Sequence, residues 1–390
     1  MNTKLRIIVI NPTNINYDND SITNYIRGLL KYNKFYDVSF YGTSKDATQN
    51  YNIKKPIDKN SFGNFYPIFN RPKSRIYNFL PKTLHYIIEF YKAKSKIIQN
   101  NSILSFHGCA WALPFLYPSK LSPCILTIHG CSRFNRIAFK SKFKVIIYDL
   151  IEKLALRKID KVILVSMDGF NFYANKYSKI KNKFVYLPTF FDNELFFPQK
   201  NRAIIRKRWG VRTDDIVLIY IGRLVEEKGL NLLIGAFKIV KANFKNAKLI
   251  LVGEGNYKSE LKKMIIRKKI GDVTFLGELA HSSIPEILHC ADLFILPSKF
   301  EGTPLAALES VACGVPVISF RVSDMDKIVI PNQTGYLVNE HSEEGLANAI
   351  MKGVKTLVKT ERISYTAVVR KYAASNLVPK ILKIYSKTCS

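Results

Sequence analysis

No apolar run in this chain reaches the roughly 18 residues that a membrane-spanning helix needs. The opening stretch, Lys4-Leu5-Arg6-Ile7-Ile8-Val9-Ile10-Asn11, turns polar too soon for a signal peptide and reads as a first β-strand. Cysteine is also sparse. The six (Cys109, Cys124, Cys131, Cys290, Cys313 and Cys389) have no metal-type spacing and fit reduced, buried thiols of a cytoplasmic protein. Acidic residues are few, with 30 Asp and Glu against 60 Lys and Arg, a net charge of +30. Residues 1–200 hold 31 of those cations and only 12 of the acids. Such an excess suits an anionic partner: a membrane surface, nucleic acid or phosphorylated substrates. A compositional bias of the source explains it as simply.

What is present is an α/β pattern. At 390 residues, two domains are expected. Apolar runs without polar alternation read as strands covered on both faces, and amphipathic stretches separate them. In the first half these runs are Leu5–Ile10, Tyr36–Tyr41, Ile103–Phe106, Cys124–Ile128, Lys161–Val165 and Phe184–Leu187. In the second they are Ile216–Ile221, Lys248–Val252, Val273–Leu276, Leu293–Leu296, Val315–Ser319 and Gly335–Val338. Two sets of about six strands predict two doubly wound, Rossmann-like domains facing a central cleft. The strand signal stops between Leu187 and Pro198, ahead of the polar stretch Gln199–Arg208. The expected division is 1–195, 196–365 and a closing helix within 366–390.

Ligands of such sheets bind beyond the carboxyl ends of the strands. After Ile216–Ile221 comes Gly222-Arg223-Leu224-Val225-Glu226-Glu227-Lys228-Gly229, followed by a one-faced helical pattern from Leu230. Arg223 and Lys228 thus sit in a strand-to-helix turn where cations and free amides can meet a diphosphate. The plainer reading is two surface cations on a loop. More specific is Glu301-Gly302-Thr303-Pro304-Leu305-Ala306-Ala307-Leu308-Glu309. Thr303 suits a helix cap, Pro304 its first position, and Gly314 with Pro316 its end. On a helix the two glutamates would lie about 12 Å apart. A retaining glycosidase pair needs about 5–5.5 Å, so these carboxylates suit the two ends of one long ligand rather than one bond.

These motifs resemble glycosyltransferase family 4, the group 1 glycosyltransferases of GT-B fold. Val252-Gly253-Glu254-Gly255, Phe275-Leu276-Gly277-Glu278-Leu279 and Ala312-Cys313-Gly314-Val315-Pro316 add to the resemblance, which is close over about residues 215–340. The resemblance implies that Arg223 and Lys228 bind the diphosphate, with Gly222 and Gly253 also in the donor site. Glu301, Gly302, Thr303, Pro304 and Leu305 would meet the sugar and distal phosphate. Glu309 would hold the ribose, and the backbone near Leu279 the base. Arg223, Lys228, Glu301 and His129 would be the catalytic set, His129 ending the strand of Leu126-Thr127-Ile128-His129-Gly130. A histidine at a strand end also serves as a structural residue. His107, in a similar setting, is the weaker candidate.

The function implied is a retaining transferase that moves a sugar from a nucleotide diphosphate, UDP favoured. The acceptor would be a glycan or lipid-linked glycan of surface polysaccharide synthesis, with no metal and no prosthetic group. Asp324-Met325-Asp326 and Asp18-Asn19-Asp20 mimic a metal-binding Asp-x-Asp but read as coincidences. The first strand-to-helix loop, Asn14–Ser21, lacks the glycine pair common in the family. Lys73–Lys96 and Arg133–Lys158 mix cations with aromatic and aliphatic residues. Each fits either a cytoplasmic membrane face or an ordinary amphipathic helix with solvated lysines. Rival functions are a nucleotide-sugar epimerase of the same fold, and a basic membrane- or nucleic-acid-binding protein. No nucleic-acid motif is present, and no nucleic-acid partner is expected.

Overall fold

The structure is a computed structural model that describes residues 6–11, 21–33, 36–44, 55–56, 63–70, 82–98, 102–117, 122–130, 142–199, 201–301, 304–356 and 366–389. The chain divides into two compact units, Met1–Thr189 with Ala374–Ser390, and Phe190–Ala373.

In the first unit the strands are β1 Arg6–Ile10, β2 Asp37–Ser44, β3 Lys55–Pro56, β4 Gly63–Asn70, β5 Ser102–Phe106, β6 Cys124–Ile128, β7 Lys161–Leu164 and β8 Phe184–Tyr186. They form one sheet in the order β3-β4-β2-β1-β5-β6-β7-β8, parallel except for β3. Six of the eight are the apolar runs named above. β3 and β4 were not expected, because Gly63, Asn64, Pro67 and Asn70 weaken any strand signal. An edge tolerates them: Pro67 stands beyond the two residues of β4 that β3 pairs, and the register with β2 shifts just past it.

Both faces of this sheet are covered. Ile8, Ile10, Leu104, Phe106 and Leu126 pack under helices Lys82–Ile97, Cys109–Leu116, Lys142–Lys158 and Met167–Lys176. The alternate residues Ile7, Val9, Ile103 and Ile125 are also fully buried. On that opposite face helix Ala374–Cys389 packs on helix Ser21–Lys31, and its Tyr385 hydroxyl lies 2.6 Å from Ser105 Oγ.

The second unit has β9 Ile216–Ile221, β10 Ala247–Val252, β11 Val273–Gly277, β12 Leu293–Leu296, β13 Val317–Phe320 and β14 Gly335–Val338. Their order is β11-β10-β9-β12-β13-β14, and all recorded pairs are parallel. Leu218, Tyr220, Leu249 and Ile295 face helices Leu230–Asn243, Lys258–Arg267 and Glu343–Thr356. Val217, Ile219, Phe294 and Leu296 face helices Ile284–Cys290, Leu305–Ala312 and Thr366–Tyr372. The chain runs outward from β9 to β11 and then returns to β12. β9 and β12 therefore flank the topological switch point, the place where such sheets open a ligand crevice.

The polar stretch Gln199–Arg208 is not a plain connector. Residues Arg202–Arg208 form a helix, and Arg206 is buried. Its guanidinium donates to the carbonyls of Cys290 and Arg212 and reaches Asp292 Oδ2 at 3.3 Å. Asp292 also accepts from the amide of Val217 at 2.7 Å, so one carboxylate ties the helix to the starts of β9 and β12.

Candidate active site

The turn after β9 is shaped by close backbone approaches. Gly222 donates to the Val252 carbonyl, and Leu224 to that of Glu254. Gly253, with φ of +127°, lies so near that a β-carbon there would meet the Gly222 carbonyl oxygen at 2.0 Å. The buried Tyr220 hydroxyl donates to the Arg223 carbonyl at 2.9 Å, holding the turn from below. Burial first, and the Glu301 charge second, push the Tyr220 phenol well above its ordinary pKa.

Gly229 closes the turn. Its φ of +65° is left-handed, and a β-carbon would stand 2.0 Å from the Pro297 carbonyl oxygen. That contact lays the β9 turn against the segment following β12. Lys228 Nζ consequently donates to Glu301 Oε1 at 2.6 Å. Both side chains are largely buried, at 20% and 10% exposure. The Arg223 side chain is exposed and has no ion pair among the described residues. Beside this segment lies a cavity of about 520 Å³ lined in part by Lys299, Phe300, Arg321 and His341.

Glu309 is held separately. It sits inside helix Leu305–Ala312, is 4% exposed, and accepts from His281 Nε2 at 2.8 Å. His281 opens the short turn after β11, next to the partly buried Leu279. The two glutamates thus have different cationic or N–H partners and do not share one bond. His281 was missed in the sequence, although it lies in a loop at a strand's carboxyl end, where the search was directed.

The helix start differs from expectation. Pro304 is the cap residue and not the first helical one, no side chain caps it, and Leu305 begins the helix. Gly302 and Thr303 lie outside the described residues, as do Asp18, Asp20 and the rest of 12–20. The helix end is as expected: Gly314 has φ of +74° and donates to Val311. Asp324 of the Asp-x-Asp is buried and paired with Lys327 at 2.6 Å.

His129 belongs to the first unit, just past β6. Its Nε2 lies 2.8 Å from Nδ1 of His107, which follows β5, and Tyr25 packs edge-on against both rings. Burial drives both imidazoles down, His129 to about 3 and His107 well below its ordinary value. His107 Nε2 is buried and has no partner among the described residues. A stranded N–H costs more than a stranded lone pair, so the proton is best assigned to His107 Nδ1 and donated to His129.

Each unit is a doubly wound, Rossmann-like sheet, as in the GT-B fold. Residues 201–368 match the family described as "Glycosyl transferases group 1". It is similar over 383 residues, at 25% identity, to an uncharacterized glycosyltransferase of Methanocaldococcus jannaschii, with 94% of each chain covered. It is also 25% identical to the UDP-Gal:alpha-D-GlcNAc-diphosphoundecaprenol alpha-1,3-galactosyltransferase of Escherichia coli, over 70% of this chain and 71% of that one. Sucrose-phosphate synthase from Thermosynechococcus elongatus shares the fold, with a TM-score of 0.79 at 20% identity, covering 98% of this chain and 99% of that one.

Proposed function

We propose that the chain is a retaining transferase that takes a sugar from a UDP-linked donor and passes it to a glycan or lipid-linked glycan acceptor. The carrying observation is the Lys228–Glu301 pair at the switch point, with the exposed Arg223 in the same turn. Arg223 and Lys228 bind the diphosphate, and the backbone N–H groups that open the helix at Leu305 add to the anion site. Glu301 contacts the sugar, and the buried Glu309, steadied by His281, takes the ribose hydroxyls with its second oxygen. The loop at Leu279 meets the base. The Escherichia coli relative, whose name carries a UDP-sugar and a diphospholipid acceptor, supports the choice of substrates.

In this scheme the bond from the anomeric carbon to the phosphate oxygen breaks as the bond to the acceptor oxygen forms on the same face. The acceptor's proton passes to the departing phosphate. No covalent nucleophile is required, and the two cations stabilise the charge on the leaving diphosphate, the largest contribution expected here. His129 enters this reading as a neutral imidazole. The direct test is Arg223→Ala and Lys228→Ala, assayed for UDP binding by calorimetry and for sugar transfer. Each should lower turnover about 100-fold or more; full turnover in both would sink the leaving-group role.

A further inference from the structure

We infer that the outer face of helix Lys142–Lys158, with that of helix Lys82–Ile97, docks on an anionic lipid bilayer. The inference does not rest on the transfer chemistry. Phe143, Ile146, Ile147 and Leu150 are 70%, 66%, 42% and 55% exposed. They recur at i, i+3, i+4 and i+7, one stripe of a helix. The same stripe continues into the exposed cations Lys153 and Arg157. On helix Lys82–Ile97, Leu84, Ile88 and Tyr91 form a second exposed stripe with the same period. Both helices pack against helix Cys109–Leu116 over one sheet face, so the two stripes belong to one outer layer. A helix that only covered the sheet would show solvated lysines where these apolar side chains stand.

The charges decide the occupant. The two acids of helix Lys142–Lys158 are drawn away from the stripe. Glu152 is fully buried and accepts from Tyr173, Lys176 and Tyr177, while Asp149 pairs with Lys176 at 3.2 Å. Glu89, on the other helix, is paired with Lys92 at 2.9 Å. The apolar face is thus flanked by cations and, among the described residues, carries no unpaired carboxylate. The first unit as a whole holds 33 Lys and Arg against 10 Asp and Glu. Apolar side chains framed by cations match the acyl boundary and the phosphates of an anionic leaflet. A nucleic acid would use the cations but leave the isoleucines in water.

The test is sedimentation of the full chain with vesicles of phosphatidylcholine alone or with about 30% phosphatidylglycerol. Ile146→Ser/Leu150→Ser and Lys153→Glu/Arg157→Glu change only exposed positions, and an unchanged urea-unfolding transition reports that each variant is folded. The wild type should bind the anionic vesicles about tenfold or more tightly than the neutral ones, and each double variant should lose about tenfold. Binding by Ile146→Ser/Leu150→Ser equal to wild type overturns the proposal. So does self-association of the wild type that this variant abolishes without any vesicle binding, which would make the face an interface between copies. Failure of UDP binding in the wild type would count against the proposed transfer and leave the vesicle result standing.

Discussion

Lys228 Nζ and Glu301 Oε1 meet at 2.6 Å, so the cation assigned to a diphosphate is held by the carboxylate assigned to a sugar. The pair keeps a largely buried cation neutralised until an anion arrives. Replacing Glu301 by Gln removes that counter-charge and should cost about 1–3 kcal/mol in the ligand-free chain. A bound diphosphate restores the missing charge. UDP should therefore raise the melting temperature of Glu301→Gln more than that of the wild type, while sugar transfer falls. Weaker UDP binding in the variant would contradict the pairing argument.

Gly229 makes that meeting possible. Alanine there brings a left-handed residue and a 2.0 Å clash with the Pro297 carbonyl. Gly229→Ala should destabilise by about 2–4 kcal/mol, read from urea unfolding, and weaken UDP binding by parting Lys228 from Glu301. A variant as stable as wild type would show that the turn has room the structure does not display.

The hydrogen bond from His281 to the 4%-exposed Glu309 should orient the carboxylate for its ligand. His281→Ala is expected to lower UDP affinity about tenfold. His281→Gln, which can still donate, should recover part of it. Equal affinity in all three proteins would remove Glu309 from the nucleotide site.

The His107–His129 pair sets a pH dependence. Both rings titrate lower in the folded chain than the ordinary imidazole value of about 6.5, His129 near 3. The unfolded chain therefore binds more protons between those limits, and stability rises with pH across the window. Urea unfolding should show the wild type more stable at about pH 7.5 than at about pH 5, and His107→Gln/His129→Gln should flatten that slope. An unchanged slope would mean the rings are not buried as neutral groups.

Asp292 offers a test of the fold itself. Arg206→Met leaves this buried carboxylate with the partly exposed Arg202 as its remaining ion-pair partner, and should cost about 3–5 kcal/mol. Little loss of stability on calorimetric unfolding would mean the network is replaceable by packing.

Periodicity made much of this protein legible from its residues alone. Strands covered on both faces must be apolar throughout, so twelve of the fourteen described strands stand out in the sequence, as does the glycine-ended helix at Gly314. The two strands that do not, β3 and β4, lie at an edge, where glycine, asparagine and proline are tolerated. Motif spacing likewise put Arg223, Lys228 and Glu301 near strand ends and Glu309 on the helix that follows. Pairing between distant segments was a different matter. Lys228 meets Glu301 because Gly229 touches Pro297, His281 reaches Glu309 from another strand's loop, and His107 joins His129 across neighbouring strands. Local pattern specifies which face of an element is buried. Which side chains then meet depends on strand order and backbone approach, and those exist only once the sheets have formed.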